Sequence, residues 1–199
     1  MSASKCFTEK TAVIVSLLFI VLFVYAAVSK LLDFENFQIQ LGQSPLLSAF
    51  ADTISWSVPV LELFTASLLI VPRFRKVGLY IAFTLMVMFT TYIFIILHYS
   101  AFVPCSCGGV LDKMGWKGHL VFNACFTILA LVSLVMMKHY ERSQKPQTFR
   151  VKSFVLKISS CFLGGVFFVS ALYLMSEQKI HRNNAFTRRY PPPSRIKEI

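Results

Sequence analysis

The sequence predicts an all-α, polytopic membrane protein, and three observations predict it. Of 199 residues, 56% are hydrophobic, 15% aromatic and only 15% charged. A soluble domain of this size has too few charges to cover so much apolar surface without leaving large sticky patches. Five apolar stretches approach the roughly 20 residues a helix needs to cross the hydrocarbon of a bilayer. Each is closed by charge, proline or glycine. Backbone amides and carbonyls inside lipid must be satisfied within their own segment, so the stretches read as helices.

The first span runs from Thr11 to Leu32. A cleaved signal peptide is its rival, because Ala27-Val28-Ser29 resembles a cleavage site. The apolar run is long for a signal peptide and continues unbroken into the next helical turn, so a span is expected. In the connection that follows, Phe34, Phe37 and Leu41 fall at helical spacing, and a second apolar patch runs from Pro45 to Phe50. Two readings stand: an amphipathic helix lying on the outer leaflet, or an ordered loop.

The second and third spans, Ile54 to Val71 and Val77 to Leu97, flank the tight basic turn Arg73-Phe74-Arg75-Lys76. His98 and Tyr99 close the third span as interface anchors. The fourth runs from His119 to Met137 and the fifth from Ser153 to Met175. Gly164-Gly165 would allow close helix approach in the fifth. Residues 141–152 form a basic linker, and residues 176–199 a basic tail ending Arg188-Arg189-Tyr190-Pro191-Pro192-Pro193. Three prolines favour an extended segment, disordered or serving as a docking strip.

The net charge of +11 invites a nucleic-acid reading. No zinc-finger spacing, RNA-binding signature or base-reading basic helix accompanies it, so no nucleic-acid partner is expected. Lys and Arg instead mark alternate connections. The stretch Asp33 to Thr53 has acids and no base, whereas Arg73, Arg75 and Lys76 crowd the next turn and Lys138, Arg142, Lys145, Arg150 and Lys152 the fourth connection. The positive-inside rule then places the N-terminus on the inner, cytoplasmic side and the Tyr99–Gly118 connection outside. The basic tail, which emerges outside, departs from that rule.

The residues with chemistry begin at Pro104-Cys105-Ser106-Cys107-Gly108-Gly109. Two cysteines one residue apart close a small strained ring, which is a poor staple and a good exchange centre. A structural link, a Cu(I) thiolate site and a pair of inert thiols are the other readings of Cys105 and Cys107. His119 lies twelve residues after Cys107, with Trp116 and Asn123 on its helix face. An imidazole beside a thiolate stabilises it and relays protons; interfacial anchoring of Trp116 and His119, with Asn123 bonding across helices, is the plainer alternative. Glu62 stands mid-way through the second span, where an acid is costly and marks function or pairing. It is open between a salt bridge to Lys30 and a proton or quinone role. Cys125 and Cys161 read as packing residues, and Cys6 as a free cytoplasmic thiol.

Several segments together resemble the DoxX/MauE group of bacterial membrane proteins, on the MauE branch, over residues 8–140. They are Val28-Ser29-Lys30-Leu31-Leu32-Asp33, Pro59-Val60-Leu61-Glu62-Leu63, Arg73-Phe74-Arg75-Lys76-Val77-Gly78-Leu79 and Phe89-Thr90-Thr91-Tyr92. The cysteine segment follows, then Gly115-Trp116, and His119 through Phe122-Asn123. The resemblance implies a four-helix bundle over residues 8–140, to which residues 153–175 add a fifth span. It also implies redox-associated work: maturation of a disulfide-rich subunit in methylamine utilisation, or thiosulfate–quinone electron transfer and a response to thiol stress in DoxX relatives.

The combined expectation is a membrane thiol–disulfide oxidoreductase with Cys105, Cys107 and His119 in the reacting site. Lys30, Glu62 and Asn123 would shape an intramembrane pocket for a quinone. The expected partners are the lipid bilayer and a thioredoxin-like or disulfide-containing periplasmic protein. A non-catalytic assembly subunit and a Cu(I)-handling protein are the alternatives.

Overall fold

The computed structural model describes residues 3–44, 47–99, 115–144 and 151–182. Among them every regular element is a helix: α1 (Ala3–Leu32), α2 (Phe34–Gln43), a 3-10 turn (Ser48–Phe50), α3 (Ala51–Ile70), α4 (Arg75–Tyr99), α5 (Gly115–Gln144) and α6 (Val151–Arg182). Five stretches are long and apolar enough to cross a bilayer: Lys10–Leu32, Ser48–Ile70, Arg75–His98, Gly115–His139 and Ser153–Met175. Four of them match the expected spans to within about a turn at each end, and the second begins six residues earlier, at Ser48 rather than Ile54. The expected tail begins as helix, since α6 continues past Met175 to Arg182.

α1, α3, α4 and α5 close a four-helix ring in which α1 packs on α3 and α5, and α4 on α3 and α5. α6 lies outside this ring, seated on α4. The core is a dry stack of aromatic and aliphatic side chains. Phe19 and Phe23 of α1 stack at 5.7 Å, and Phe126 of α5 meets Phe19 edge-on at 5.4 Å. Leu69, Leu79, Phe83, Met86 and Leu134 complete it. α1 passes unbroken through Ala27-Val28-Ser29, and Ala27 is fully buried. The signal-like segment is thus an unbroken part of the first span, with Ala27 in the bundle core and Val28 facing outward.

The outside of the bundle is apolar too. Val21, Val60, Leu163 and Phe167 are each more than half exposed. Such a surface is stable with lipid as its solvent. The protein is a multi-pass membrane protein.

Two glycines set helix separations. A Cβ on Gly78 would stand 2.9 Å from Leu69 Cδ2 and 3.2 Å from the Leu69 amide nitrogen, so glycine lets α4 start close against α3. Of the Gly164-Gly165 doublet, Gly165 approaches Val87 and Met88 of α4, whereas Gly164 faces open space.

The first connection is helical. Phe37 and Leu41 of α2 are buried against Ala51, Leu47 and Ile54, so the apolar face seals one end of the bundle rather than resting wholly on lipid. Gln38 Nε2 donates to Asp52 Oδ1 at 2.7 Å, which ties α2 to the start of α3. This is called the α2 end below. α1, α4 and α6 finish there, and α3 and α5 begin there.

Candidate functional site

Two polar groups stand out, one reaching from the α2 end into the middle of the bundle and one at that end. The first joins α1 to α3. Residues Ala12, Val15, Ser16, Phe19, Phe23 and Ala27 form the buried stripe of α1, and Lys30 continues it by one turn. Ser55, Pro59, Glu62, Ala66 and Leu69 form the facing stripe of α3. Lys30 Nζ donates to Glu62 Oε1 at 2.8 Å, to Oε2 at 3.1 Å and to the Ala26 carbonyl at 3.2 Å. Glu62 is 1% exposed and Lys30 20%.

The helices' directions explain how residues at different depths meet. Side chains on a helix lean toward its N-terminus. α1 ends at the α2 end, so Lys30 leans back into the bundle; α3 begins there, so Glu62 leans out to meet it. The Phe37 ring of α2 lies 6.0 Å from the ammonium and roofs the pair. Each lysine N–H and each carboxylate oxygen therefore finds a partner where water is scarce, the condition under which a buried pair is tolerated.

The second group lies around the 3-10 turn, which packs on α2, α3 and α6. Backbone bonds from Ser44 N to Gln40 O (3.0 Å) and from Ser48 N to Ser44 O (2.9 Å) string three polar residues four apart. Tyr92 of α4 donates its hydroxyl to Ser44 Oγ at 3.1 Å. Leu47, Tyr92, Trp116 and Tyr173 pack around buried Ile96 and Val169. The rings of Trp116 and His119 stand 6.4 Å apart at the start of α5. His119 Nε2 is buried with no hydrogen-bond partner, as are Gln40 Oε1 and Ser48 Oγ.

The structure thus joins Lys30 to Glu62 directly and gathers Trp116 and His119 at the same end. Asn123 is half-buried one turn further along α5, whose main packing partners are α4 and α1. Cys105 and Cys107 lie outside the described residues. His98 is exposed at the end of α4, its ring stacked on Phe94 at 4.2 Å and its Nδ1 3.0 Å from the Phe94 carbonyl oxygen. Cys125 and Cys161 are free thiols, the first exposed on α5 and the second packed against the core. Sequence reasoning missed Gln40, Ser44 and Ser48. Their spacing of four was the available signal, masked because polar residues beside an acidic connection read as solvent-facing.

A closed ring of four spans with a roofed ion pair, and a fifth span docked outside it, defines a small polytopic helical membrane protein. Residues 8–136 match the family model described as methylamine utilisation protein MauE, and the chain belongs to that family. Neither the curated proteins nor the solved structures contain a match.

Proposed function

We propose that this chain is a membrane-embedded thiol–disulfide exchange protein serving methylamine utilisation, with Cys105 and Cys107 as its cycling pair. The observation that carries the reading is where the α4–α5 connection departs. α4 ends at Tyr99 and α5 begins at Gly115, both at the α2 end, with His119 one turn into α5, and the sequence between those ends contains Pro104-Cys105-Ser106-Cys107-Gly108-Gly109. The alternation of basic connections supports a periplasmic position for that loop in an inner membrane, where disulfides persist. The family's link to methylamine utilisation supports a partner from that system.

In the exchange, a thiolate of the partner attacks the Cys105–Cys107 disulfide. One sulfur bond breaks, a mixed disulfide forms, and one cysteine of the pair leaves as a thiolate. The partner's second thiolate then attacks the mixed disulfide. The partner departs oxidised by two electrons, and Cys105 and Cys107 remain as a dithiol. His119 takes up and returns the thiol proton. A lipid-soluble two-electron acceptor of the quinone class restores the disulfide and leaves as quinol. The Lys30–Glu62 pair braces α1 against α3 and takes no part in the transfer.

Trapping tests this. Cys105→Ala and Cys107→Ala variants are expressed in native membranes, acid-quenched, alkylated and run without reductant. One variant is expected to accumulate a mixed disulfide with a periplasmic protein. If neither ever does, the exchange reading is wrong.

A further inference from the structure

The outward face of α2 is acidic, and nothing in the bundle covers it. Asp33, Glu35, Asn36 and Ile39 are exposed along it. On the flank toward α3, the Phe34 ring lies 4.6 Å from the Trp56 ring, and Trp56 is still 59% exposed. Beside that pair, Asp52 accepts from Gln38, and Asp33 accepts from Asn36 at 2.7 Å. An amide orients a carboxylate without cancelling its charge. Residues 31–72 contain no Lys, Arg or His that could do so from nearby in the chain.

α6 finishes at this same end. It packs on the 3-10 turn, and that turn packs on α2. Residues 183–199 follow α6, with Arg188, Arg189, Arg195 and Lys197 against a single acid, Glu198. Whichever way the bundle is oriented, this segment and the acidic face share one side of the membrane. Seventeen residues at about 3.3 Å each reach roughly 50 Å, whereas α2 is only about 15 Å long. Reach is no obstacle.

We propose that residues 183–199 dock on the outer face of α2 in their own chain. Arg188 and Arg189 would meet Asp33, Glu35 and Asp52, and Pro191-Pro192-Pro193 would lie on the Trp56 ring. Opposite charge selects this occupant first. Spacing selects it second: Asp52 and Trp56 stand one turn apart on α3, about 6 Å along the axis. Arg189 and Pro191 are also about 6 Å apart in a polyproline segment. Such a segment is already extended before it binds, so it seats on aromatic rings at little cost in entropy. Tethering selects it third. A segment attached next to its site needs little affinity of its own, so exposed ion pairs, weak singly, are enough. Docking also gives the bases that depart from the positive-inside pattern a local counter-charge. Neither Cys105 nor Cys107 enters this contact, which is therefore independent of the exchange reading.

The test uses the full chain, one copy per lipid nanodisc, with p-benzoylphenylalanine in place of Tyr190. After irradiation, peptide mass spectrometry is expected to find the crosslink on residues 33–39 or on Trp56. Asp33→Asn/Glu35→Gln/Asp52→Asn should lower its yield about threefold, the scale of one or two exposed ion pairs. Arg188→Gln/Arg189→Gln should do the same, as should raising salt from about 0.05 M to about 0.5 M. The arginine variant alters none of the packed residues, so it decides the matter if the α2 variant fails to fold. Asp33→Lys/Glu35→Lys combined with Arg188→Glu/Arg189→Glu should restore the yield. Crosslinks to lipid alone, to another protein, or only between copies in discs that hold two would overturn the proposal. So would a crosslink to α2 whose yield ignores both charge and salt.

Discussion

Cutting the Lys30–Glu62 pair from either side should have unequal consequences. Glu62 lies eleven residues beyond Ala51, about 16 Å down α3 at 1.5 Å per residue, close to mid-bilayer. Lys30 is two residues from the end of α1 and is already 20% exposed. With Glu62→Gln, the freed ammonium can swing toward the headgroups, as long basic side chains near helix ends do. With Lys30→Met, the carboxylate at 1% exposure has no route to water. Removing one member of a buried pair costs about 3–5 kcal/mol. Lys30→Met is therefore expected near about 3 kcal/mol, and Glu62→Gln nearer about 1–2 kcal/mol because of that escape. The Lys30→Met/Glu62→Gln double variant should be more stable than Lys30→Met alone. The reversed pair Lys30→Glu/Glu62→Lys should not recover stability, since a shorter side chain at position 30 cannot reach back one turn. Equilibrium unfolding in mixed detergent micelles, read as a double-mutant cycle, measures all of these. A coupling energy within about 0.5 kcal/mol of zero, the usual additivity error, would refute the argument, as would a fully stable reversed pair.

Three further outcomes follow from the packing. Gly78→Ala should lower stability by about 1–3 kcal/mol, because its Cβ meets Leu69 side-chain and backbone atoms at 2.9–3.2 Å; melting of the purified protein checks it. Gly165→Leu should loosen α6 from α4 while Gly164→Leu leaves it in place, read by crosslinking between cysteines placed on the two helices. Tyr92→Phe removes the hydroxyl that meets Ser44 and should cost about 1 kcal/mol, seen as faster amide exchange in α2.

What was legible from sequence follows the physics of each signal. Span length and apolarity are one-dimensional, so all five spans could be read directly. Lys30 and Glu62 could be named as candidate partners, but their meeting depends on the antiparallel lean of side chains on α1 and α3, which no spacing encodes. Phe34, Phe37 and Leu41 announced a helical face without saying whether lipid or protein would cover it. Phe37 turned out to roof the ion pair. The Gly164-Gly165 doublet marked a close approach but not which glycine makes it, since that depends on the rotation of α6 against α4. Gln40 and Ser48 were illegible because burial of a polar residue arises only from what folds over it. Cys105 and Cys107 lie outside the described residues, so the cysteine reading rests on sequence.

The peripheral seat of α6 bears on how the chain is made. Residues that close the four-membered ring all emerge from the ribosome before α6 does, and the family match likewise stops at residue 136. Insertion and closure of the inner ring can therefore finish while the last span is still being synthesised. The final helix then arrives at a finished wall, with Gly165 as its foothold, so removing it should cost an attachment and leave the inner ring assembled.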